Sequence, residues 1–501
     1  VPLAQLRFAL PLAALLGVMH TLSFAPNHWW WLQILSLAGL AALAQRASRL
    51  RDVAWVGVAF GLGWFLSGIW WLYISMHVYG EMPAWMSVIA VLALSAYLAL
   101  HPALAAWLWQ WLVRGRKVGG AASALIFGAA WLLSEWLRGT MWTGFPWING
   151  GYAHTDGPLA GYAPLIGVYG IVAMAATLAG LLCVAAERRL HWLAGGAGVL
   201  VLAAGWPLHT VAWTQPVGKP ISVRLLQGNV PQNIKFEQIG IDQSLALYTK
   251  LVTEQPAQLV VTPETAFPIM LQEMPQEVAL AIRTYVDTTG SSVLFGAASQ
   301  DSPVDYTNSV FGVGPQIIGV YRYDKHHLVP FGEFIPYGFH WFVHMMNMPL
   351  GDFRRGATVQ AAMPVADQYV APNICYEDLF GEEIAASLRH APATLLANTT
   401  NLAWFGDTIA LDQHLQISRM RALETGRPML RATNTGATAV VRPDGSVQAR
   451  LPSFTLGALQ AEVQGTQGLT PYVRLGNLPA LGVGALVLLV AFVRRRRVEA
   501  H

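Results

Sequence analysis

Apolar residues run almost unbroken at eight places along the chain: residues 6–24, 29–45, 53–75, 84–113, 120–137, 161–185 and 190–206, then "LPALGVGALVLLVAFV" close to the end. An α-helix rises about 1.5 Å per residue, so roughly 20 such residues cross a hydrocarbon core of about 30 Å. Each run therefore predicts a membrane-spanning helix. The first has Arg7 near its start and no small-residue cleavage site after "SFAP", which predicts a retained helix rather than a leader that is removed. Between the seventh and eighth runs the pattern changes to short β-rich segments bounded by Gly, Pro or Asn, at 221–230, 258–264, 291–299, 308–314, 369–377 and 393–401. Helical stretches separate several of them, among them 241–255 and 276–290, the second closing on Gly290. The expectation is a polytopic helical membrane protein with an inserted α/β domain. Its parts are a seven-helix membrane domain over 1–206, a globular domain over 207–475, and a final helix with a basic tail over 476–501.

Charge follows that layout. Arg46, Arg49 and Arg51, then Arg114, Arg116 and Lys117, then Arg188 and Arg189, and finally Arg494 to Arg497 fall on alternate connections. The opposite short connections, "APNHWW" and "SMHVYGEMP", hold no Lys or Arg, and 138–161 holds only Arg138. Basic loops stay on the cytoplasmic side, which predicts two cytoplasmic termini and a globular domain facing the periplasm of a bacterial inner membrane. Composition agrees: 54% of positions are apolar and 12% charged, against about 25% charged in a soluble domain. A net charge of +3 gives no reason to expect a nucleic-acid partner.

That placement gives weight to the cysteines. Cys183 lies near the cytoplasmic end of the sixth run and Cys375, in "PNICYEDLF", lies in the outer domain, so the two cannot pair. Cys375 is then a free thiol in an oxidising compartment, either a small buried hydrophobe or a reactive group. Polar groups in an α/β fold favour the carboxyl ends of strands. Glu264 closes "QLVVTPE", Lys325 follows "IIGVYRYD", and Cys375 closes "YVAPNIC". A carboxylate, an ammonium and a thiol at three strand ends make a nucleophilic site if they converge, although each taken singly reads as an ordinary solvated or buried residue. Strand alternation turns Tyr376 away from Cys375 and leaves Glu377 on the same side unless a sharp turn redirects it. No metal-ligand cluster, P-loop or internal repeat accompanies them.

The order Glu, Lys, Cys resembles the nitrilase, or carbon-nitrogen hydrolase, superfamily. With seven helical runs before and one after, the chain resembles that superfamily's membrane-embedded branch, the apolipoprotein N-acyltransferase family. The motifs that carry the resemblance are "QGNVPQ" (227–232), "TPETAFP" (262–268), "DKHHLVPFGEFIP" (324–336), "ICYED" (374–378), "AWFGD" (403–407), "QHLQISRMRALETGRPMLRATNTG" (413–436), "GLTPYVRLGN" (468–477) and, among the helices, "GFPWINGGY" (144–152). Two positions depart from the common pattern. Phe236 stands where Trp is frequent, and Leu402 stands where the common string has Asp.

The resemblance implies an αββα sandwich, with Glu264 as general base, Cys375 as nucleophile, Lys325 as oxyanion stabiliser and Glu333 in support. Tyr376 and Glu377 flank the nucleophile as supporting residues. It further implies that a membrane phospholipid gives an acyl chain to Cys375 as a thioester. The α-amine of an S-diacylglyceryl cysteine at the N-terminus of an apolipoprotein then takes it, without cofactor or metal. Both substrates are lipids, so apolar contacts are expected from Phe236, Trp404 and the segment 337–351, where Trp341, Phe342, Met345 and Met346 join Phe339 and Met348 as a lid over acyl chains. The plain alternative for that segment is a core helix face. Trp147, with Trp142 and Phe145, is expected to frame a lipid entrance. Nothing in the sequence calls for a partner subunit, and a monomer is expected. A membrane-anchored nitrilase-type amidase would use the same three residues. A non-enzymatic scaffold would leave them coincidental, and a transporter is disfavoured because His101 and Glu135 are among the few ionisable groups inside the runs.

Overall fold

The computed structural model describes residues 3–187, 191–302, 305–338 and 353–499. They divide into two compact units, one of Val1–Tyr73, Pro83–Ala212 and Leu475–His501, the other of Ile74–Met82 and Trp213–Arg474. The residues Ile74–Met82, which end the third apolar run and continue past it, thus pack with the second unit and form a π-helical turn over Ser75–Tyr79.

The first unit is helical. Its elements are α1 (Leu3–Thr21), α2 (Trp30–Arg46), α3 (Leu50–Ile69), α4 (Ala84–Val113), α5 (Gly120–Thr140), α6 (Ala163–Glu187), α7 (His191–His209) and the C-terminal helix Leu478–Glu499. Among the described residues, five segments are long and apolar enough to cross a membrane: Leu50–Ile69, Ala84–Val113, Gly120–Thr143, Pro158–Cys183 and Leu478–Arg497. Small residues let α3 and α4 touch backbone to backbone. A Cβ at Gly57 would fall 2.4 Å from the Ala103 Cα and one at Gly61 would fall 2.6 Å from the Ala99 Cα. This is the close approach that helix pairs use in lipid, where burial of apolar surface gives no drive to associate. Arg138, near the end of α5, forms a buried ion pair with Glu135 at 2.5 Å and donates to the carbonyls of Phe145 (2.6 Å) and Trp147 (3.0 Å). It thereby ties down the turn that follows its own helix.

The second unit is a four-layer sandwich. Strands β1 (Ile221–Gln227), β2 (Leu259–Val261), β3 (Phe267–Met270), β4 (Ser292–Ser302), β5 (Asp305–Val313), β6 (Tyr321–Asp324) and a late strand, Gly457–Val463, form one seven-stranded sheet. β7 (Met363–Val365), β8 (Gln368–Ile374), β9 (Leu395–Thr400), β10 (Met429–Thr433), β11 (Ala439–Val441) and β12 (Val447–Arg450) form a six-stranded one in the order β12-β11-β10-β9-β8-β7. β1, β2 and β4 run parallel, as do β8, β9 and β10.

Period-2 alternation decides which face each side chain takes. Val223, Leu225 and Val261 point into the layer between the sheets, where they meet Val370, Ile374, Leu395, Ala397 and Leu430. The intervening Leu226 and Val260 face the helices α8 (Gln238–Thr253) and α9 (Gln276–Thr289), while Leu396 and Met429 on the other sheet face α10 (Gly381–His390) and α11 (Ala410–Thr425). The helix α9 ends at Gly290, whose φ of 69° is the left-handed cap that glycine takes without strain.

Two expected strands end early. The run 258–264 is a strand only to Val261, because Pro263 has no N–H for a ladder, and the run 369–377 stops at Ile374 because the chain turns at Cys375.

Candidate active site

Glu264, Lys325 and Cys375 all lie just beyond the carboxyl ends of strands, after β2, β6 and β8. The loop carrying Glu264 is pinned to the neighbouring strand. The amide of Thr262 donates to the Leu294 carbonyl at 2.9 Å, and the amide of Gly296 donates to the Thr262 hydroxyl at 3.1 Å. Only glycine fits at 296, since a Cβ there would meet the Pro263 carbonyl oxygen and the Thr265 nitrogen at 2.6 Å each. Lys325 is fixed by its own amide, which donates to the Asn308 carbonyl at 2.8 Å.

The side chains then converge. Lys325 Nζ lies 3.2 Å from Glu264 Oε1 and 2.8 Å from Glu333 Oε1. The Asn308 amide donates to the same two oxygens, at 2.8 and 2.7 Å. Glu264 Oε2 accepts from the backbone amide of Asn401 at 3.0 Å, and Glu333 Oε2 accepts from that of Val329 at 2.8 Å. All three charged groups are buried. Burial by itself would raise the Glu264 carboxyl, but the Lys325 ammonium and the Asn308 hydrogen bond outweigh it and hold the group below its usual range. For Lys325 burial acts downward, yet the two carboxylates prevail and the group is held above its ordinary value.

Cys375 is half-buried and takes a φ of 51°, in the left-handed region that a residue with a Cβ rarely adopts. This sharp turn settles where Glu377 goes. Its carboxylate swings under the strand end, accepting from the amides of Ile374 (2.6 Å), His326 (2.6 Å) and His327 (3.2 Å) and from the Tyr323 hydroxyl (3.0 Å). Glu377 thus ties the cysteine turn to the lysine loop, and burial pushes its carboxyl up to about 7. Tyr376 packs beside the rings of His327 and Phe380. Burial, and then the charge of Glu264, push the Cys375 thiol well up, while Lys325 offsets only part of this. The surroundings thus favour the thiol form of Cys375 and the ionised form of Glu264, the pairing that general-base activation of a nucleophile requires.

Beneath the turn lies a second buried charge cluster. Asp378 contacts His414 Nε2 at 3.1 Å, Arg431 Nη1 at 3.2 Å and the Ser418 hydroxyl. Arg431 also reaches Asn398 Oδ1 at 3.3 Å, and the Asn398 amide donates to the Cys375 carbonyl at 3.2 Å. Truncating Asp378 to alanine strands the Arg431 guanidinium in the core, an uncompensated charge that costs about 3–5 kcal/mol. The expected outcome for Asp378→Ala is a clearly lowered unfolding midpoint in detergent, with Asp378→Asn in between.

The remaining candidates are scattered. Phe236 is exposed beside Lys235, whose Nζ lies 5.8 Å from the ring centroid. Trp404 is half-buried, 6.1 Å from the Tyr79 ring within the same unit. Leu402 is fully buried, which suits an apolar residue where the common pattern has Asp. Trp147 does not take the position expected of it. Its ring is buried inside the helical unit, 4.8 Å from that of Trp71, and its carbonyl accepts from Arg138 at 3.0 Å. Trp142, by contrast, is 73% exposed. Trp341, Phe342, Met345 and Met346 lie outside the described residues.

Sequence reading missed Asn308, Lys235 and Asn401. Asn308 had a signal, as an amide two residues before the inward-facing Val310 on the same strand face, whereas a backbone donor such as that of Asn401 leaves none.

The chain is similar to known proteins along its whole length. The family model described as apolipoprotein N-acyltransferase N-terminal domain matches residues 16–181, and the one described as carbon-nitrogen hydrolase matches residues 223–472. A protein of Ralstonia nicotianae named apolipoprotein N-acyltransferase is 85% identical over 502 residues, covering 100% of this chain and 96% of its own length. One of the same name from Nitrosomonas europaea is 42% identical, over 98% of this chain and 99% of its own. With a helical unit and a carbon-nitrogen hydrolase sandwich both matched, and relatives of this identity spanning it end to end, the chain belongs to the apolipoprotein N-acyltransferase family.

Proposed function

We propose that this chain transfers a fatty acyl group from a membrane phospholipid to the α-amine of the S-diacylglyceryl cysteine that begins an apolipoprotein. The observation that carries the reading is the buried Glu264–Lys325–Glu333 cluster acting on a strained cysteine, in a chain that also has a unit of long apolar helices.

In the first half-reaction Glu264 accepts the Cys375 proton as the sulfur attacks the ester carbonyl of the phospholipid. Negative charge gathers on the carbonyl oxygen. Lys325 has three N–H groups, two of them on Glu264 and Glu333, and the third answers the oxyanion together with a backbone N–H at the Cys375 turn. Collapse breaks the ester C–O bond, Glu264 returns its proton to the lysophospholipid, and a thioester remains. In the second half-reaction the apolipoprotein amine attacks the thioester, Glu264 takes its proton, and collapse expels the sulfur, which is reprotonated. A thioester yields to an amine more readily than to water, which suits a transferase. Glu333 holds Lys325 in place, and Phe236 and Trp404 contact the acyl chains.

The eight helices are read as eight spans, with both termini cytoplasmic and the sandwich in the periplasm, on the ground of the alternating basic connections. Trp142 stands at the lipid entrance, and the protein acts as a monomer.

The test is an assay in detergent micelles with phospholipid and a diacylglyceryl peptide bearing a free N-terminal cysteine amine. N-acylated peptide and lysophospholipid in equal amounts are expected. Free fatty acid in place of acylated peptide would favour the amidase reading.

A further inference from the structure

Lys235 lies on the loop between β1 and α8 and is 2% exposed. Its ammonium donates to the backbone carbonyl of Glu264 at 3.3 Å, and among the described residues no carboxylate oxygen lies within ion-pair distance of it. Its loop is also tied to the same acid. Gln232, whose carbonyl takes the Lys235 amide, accepts from the Asn401 side chain at 2.7 Å, and the Asn401 backbone holds Glu264 Oε2. A buried cation without an ion-pair partner is costly, and such groups gather where charge is put to use.

Glu264 and Glu333 bring two negative charges and Lys325 one positive charge, while Cys375 rests as a neutral thiol. We propose that Lys235 is a positioning residue for the general base: fixed on the Glu264 main chain, its ammonium is the second cation that keeps the Glu264 carboxylate ionised and aimed at the Cys375 thiol. This rests on reading Glu264 and Cys375 as base and nucleophile. The titratable groups that face it are Glu264, just past β2 in the sheet of β1, and Cys375, just past β8 in the facing sheet. Glu264 and Cys375 both act on Lys235. Burial draws the ammonium down to about 8, with Glu264 and Cys375 opposing the drop. The group is therefore still cationic throughout the acid range in which Glu264 titrates. Without it, the Glu264 carboxyl moves up and the base is lost to protonation at a higher pH.

The experiment follows the rate of Cys375 modification against pH in the full-length protein. Iodoacetamide, a neutral thiol reagent, is one probe and phospholipid the other, both read by peptide-resolved mass spectrometry. Each rate is normalised to the same protein's value at neutral pH. For Lys235→Met the acid limb is expected to shift upward by about one pH unit, a loss of about tenfold at a pH where the wild type still reacts fully. Lys235→Arg, which keeps the charge, is expected to hold the limb near its wild-type place. A limb that stays put in Lys235→Met, with the rate lowered evenly at every pH or not at all, overturns the proposal and leaves a structural lysine. Lys235→Gln serves as a second neutral variant if the methionine variant does not fold. The iodoacetamide arm needs no lipid, so wild-type Cys375 failing to react with phospholipid would count against the transferase reading alone.

Discussion

Cys375→Ala is expected to bring acyl transfer down to the background of the assay, a loss on the order of 10⁶-fold, the scale seen when a covalent nucleophile is removed. No second thiol stands in for it, because Cys183 is buried in the helical unit and bonds there to Gln45 at 3.3 Å. The fold should survive. The thiol is half-buried, and alanine keeps the Cβ and the backbone turn, so the unfolding midpoint should change little. Cys375→Ser should be nearly as inactive. A hydroxyl is far less acidic than a thiol, and a carboxylate held below its usual range is too weak a base to compensate. Activity that survives Cys375→Ala would mean that the amine takes the acyl chain directly from the lipid.

Lys325→Met is expected to be nearly as damaging, and to act on stability as well. The ammonium sits between two buried carboxylates, at 3.2 and 2.8 Å. Removing it takes away an oxyanion donor, worth about 10²- to 10³-fold in rate. It also leaves Glu264 and Glu333 joined only through Asn308, an uncompensated pair of buried charges that costs about 3–5 kcal/mol. The Glu264 carboxyl, no longer held down, moves up. Whatever activity remains should therefore rise steeply with pH through the range in which Glu264 now ionises. Lys325→Arg should not rescue, since a planar guanidinium cannot direct three N–H groups to two carboxylates and an oxyanion from the position of one nitrogen. Rate and unfolding midpoint, measured together across pH, separate the two effects: a normal midpoint with a lost rate would assign Lys325 to the oxyanion alone.

Much of this was legible in the sequence, for definite reasons. Strands β1, β2, β4, β5, β8 and β9 announce themselves because their apolar alternation is bounded by Gly, Pro or Asn. The catalytic candidates fall just past strand ends because that is where a backbone can present a side chain. Elements with inverted polarity did not show. Helix α11 is buried almost all round, with Gln413, His414, Gln416, Ser418, Arg421 and Glu424 as well as Leu411, Leu415, Ile417 and Met420, so no polar face marks it as amphipathic, and β10 carries the buried Arg431 in its centre. At Cys375 the strand pattern left a sharp turn open without requiring it, and the role of Glu377 in joining two loops did not show. Trp147 was read as framing a lipid entrance, whereas its ring is buried in the helical unit against Trp71.

The central claim is a thioester on Cys375, and intact-protein mass spectrometry tests it most directly. Wild type and Cys375→Ala would be incubated with phospholipid, weighed, and weighed again after addition of the diacylglyceryl peptide. One hydroxylamine-labile acyl mass on the wild type alone, discharged onto the peptide amine, is the expected result. An adduct that also forms on Cys375→Ala, or a wild type that turns over without ever carrying the acyl mass, would contradict the mechanism.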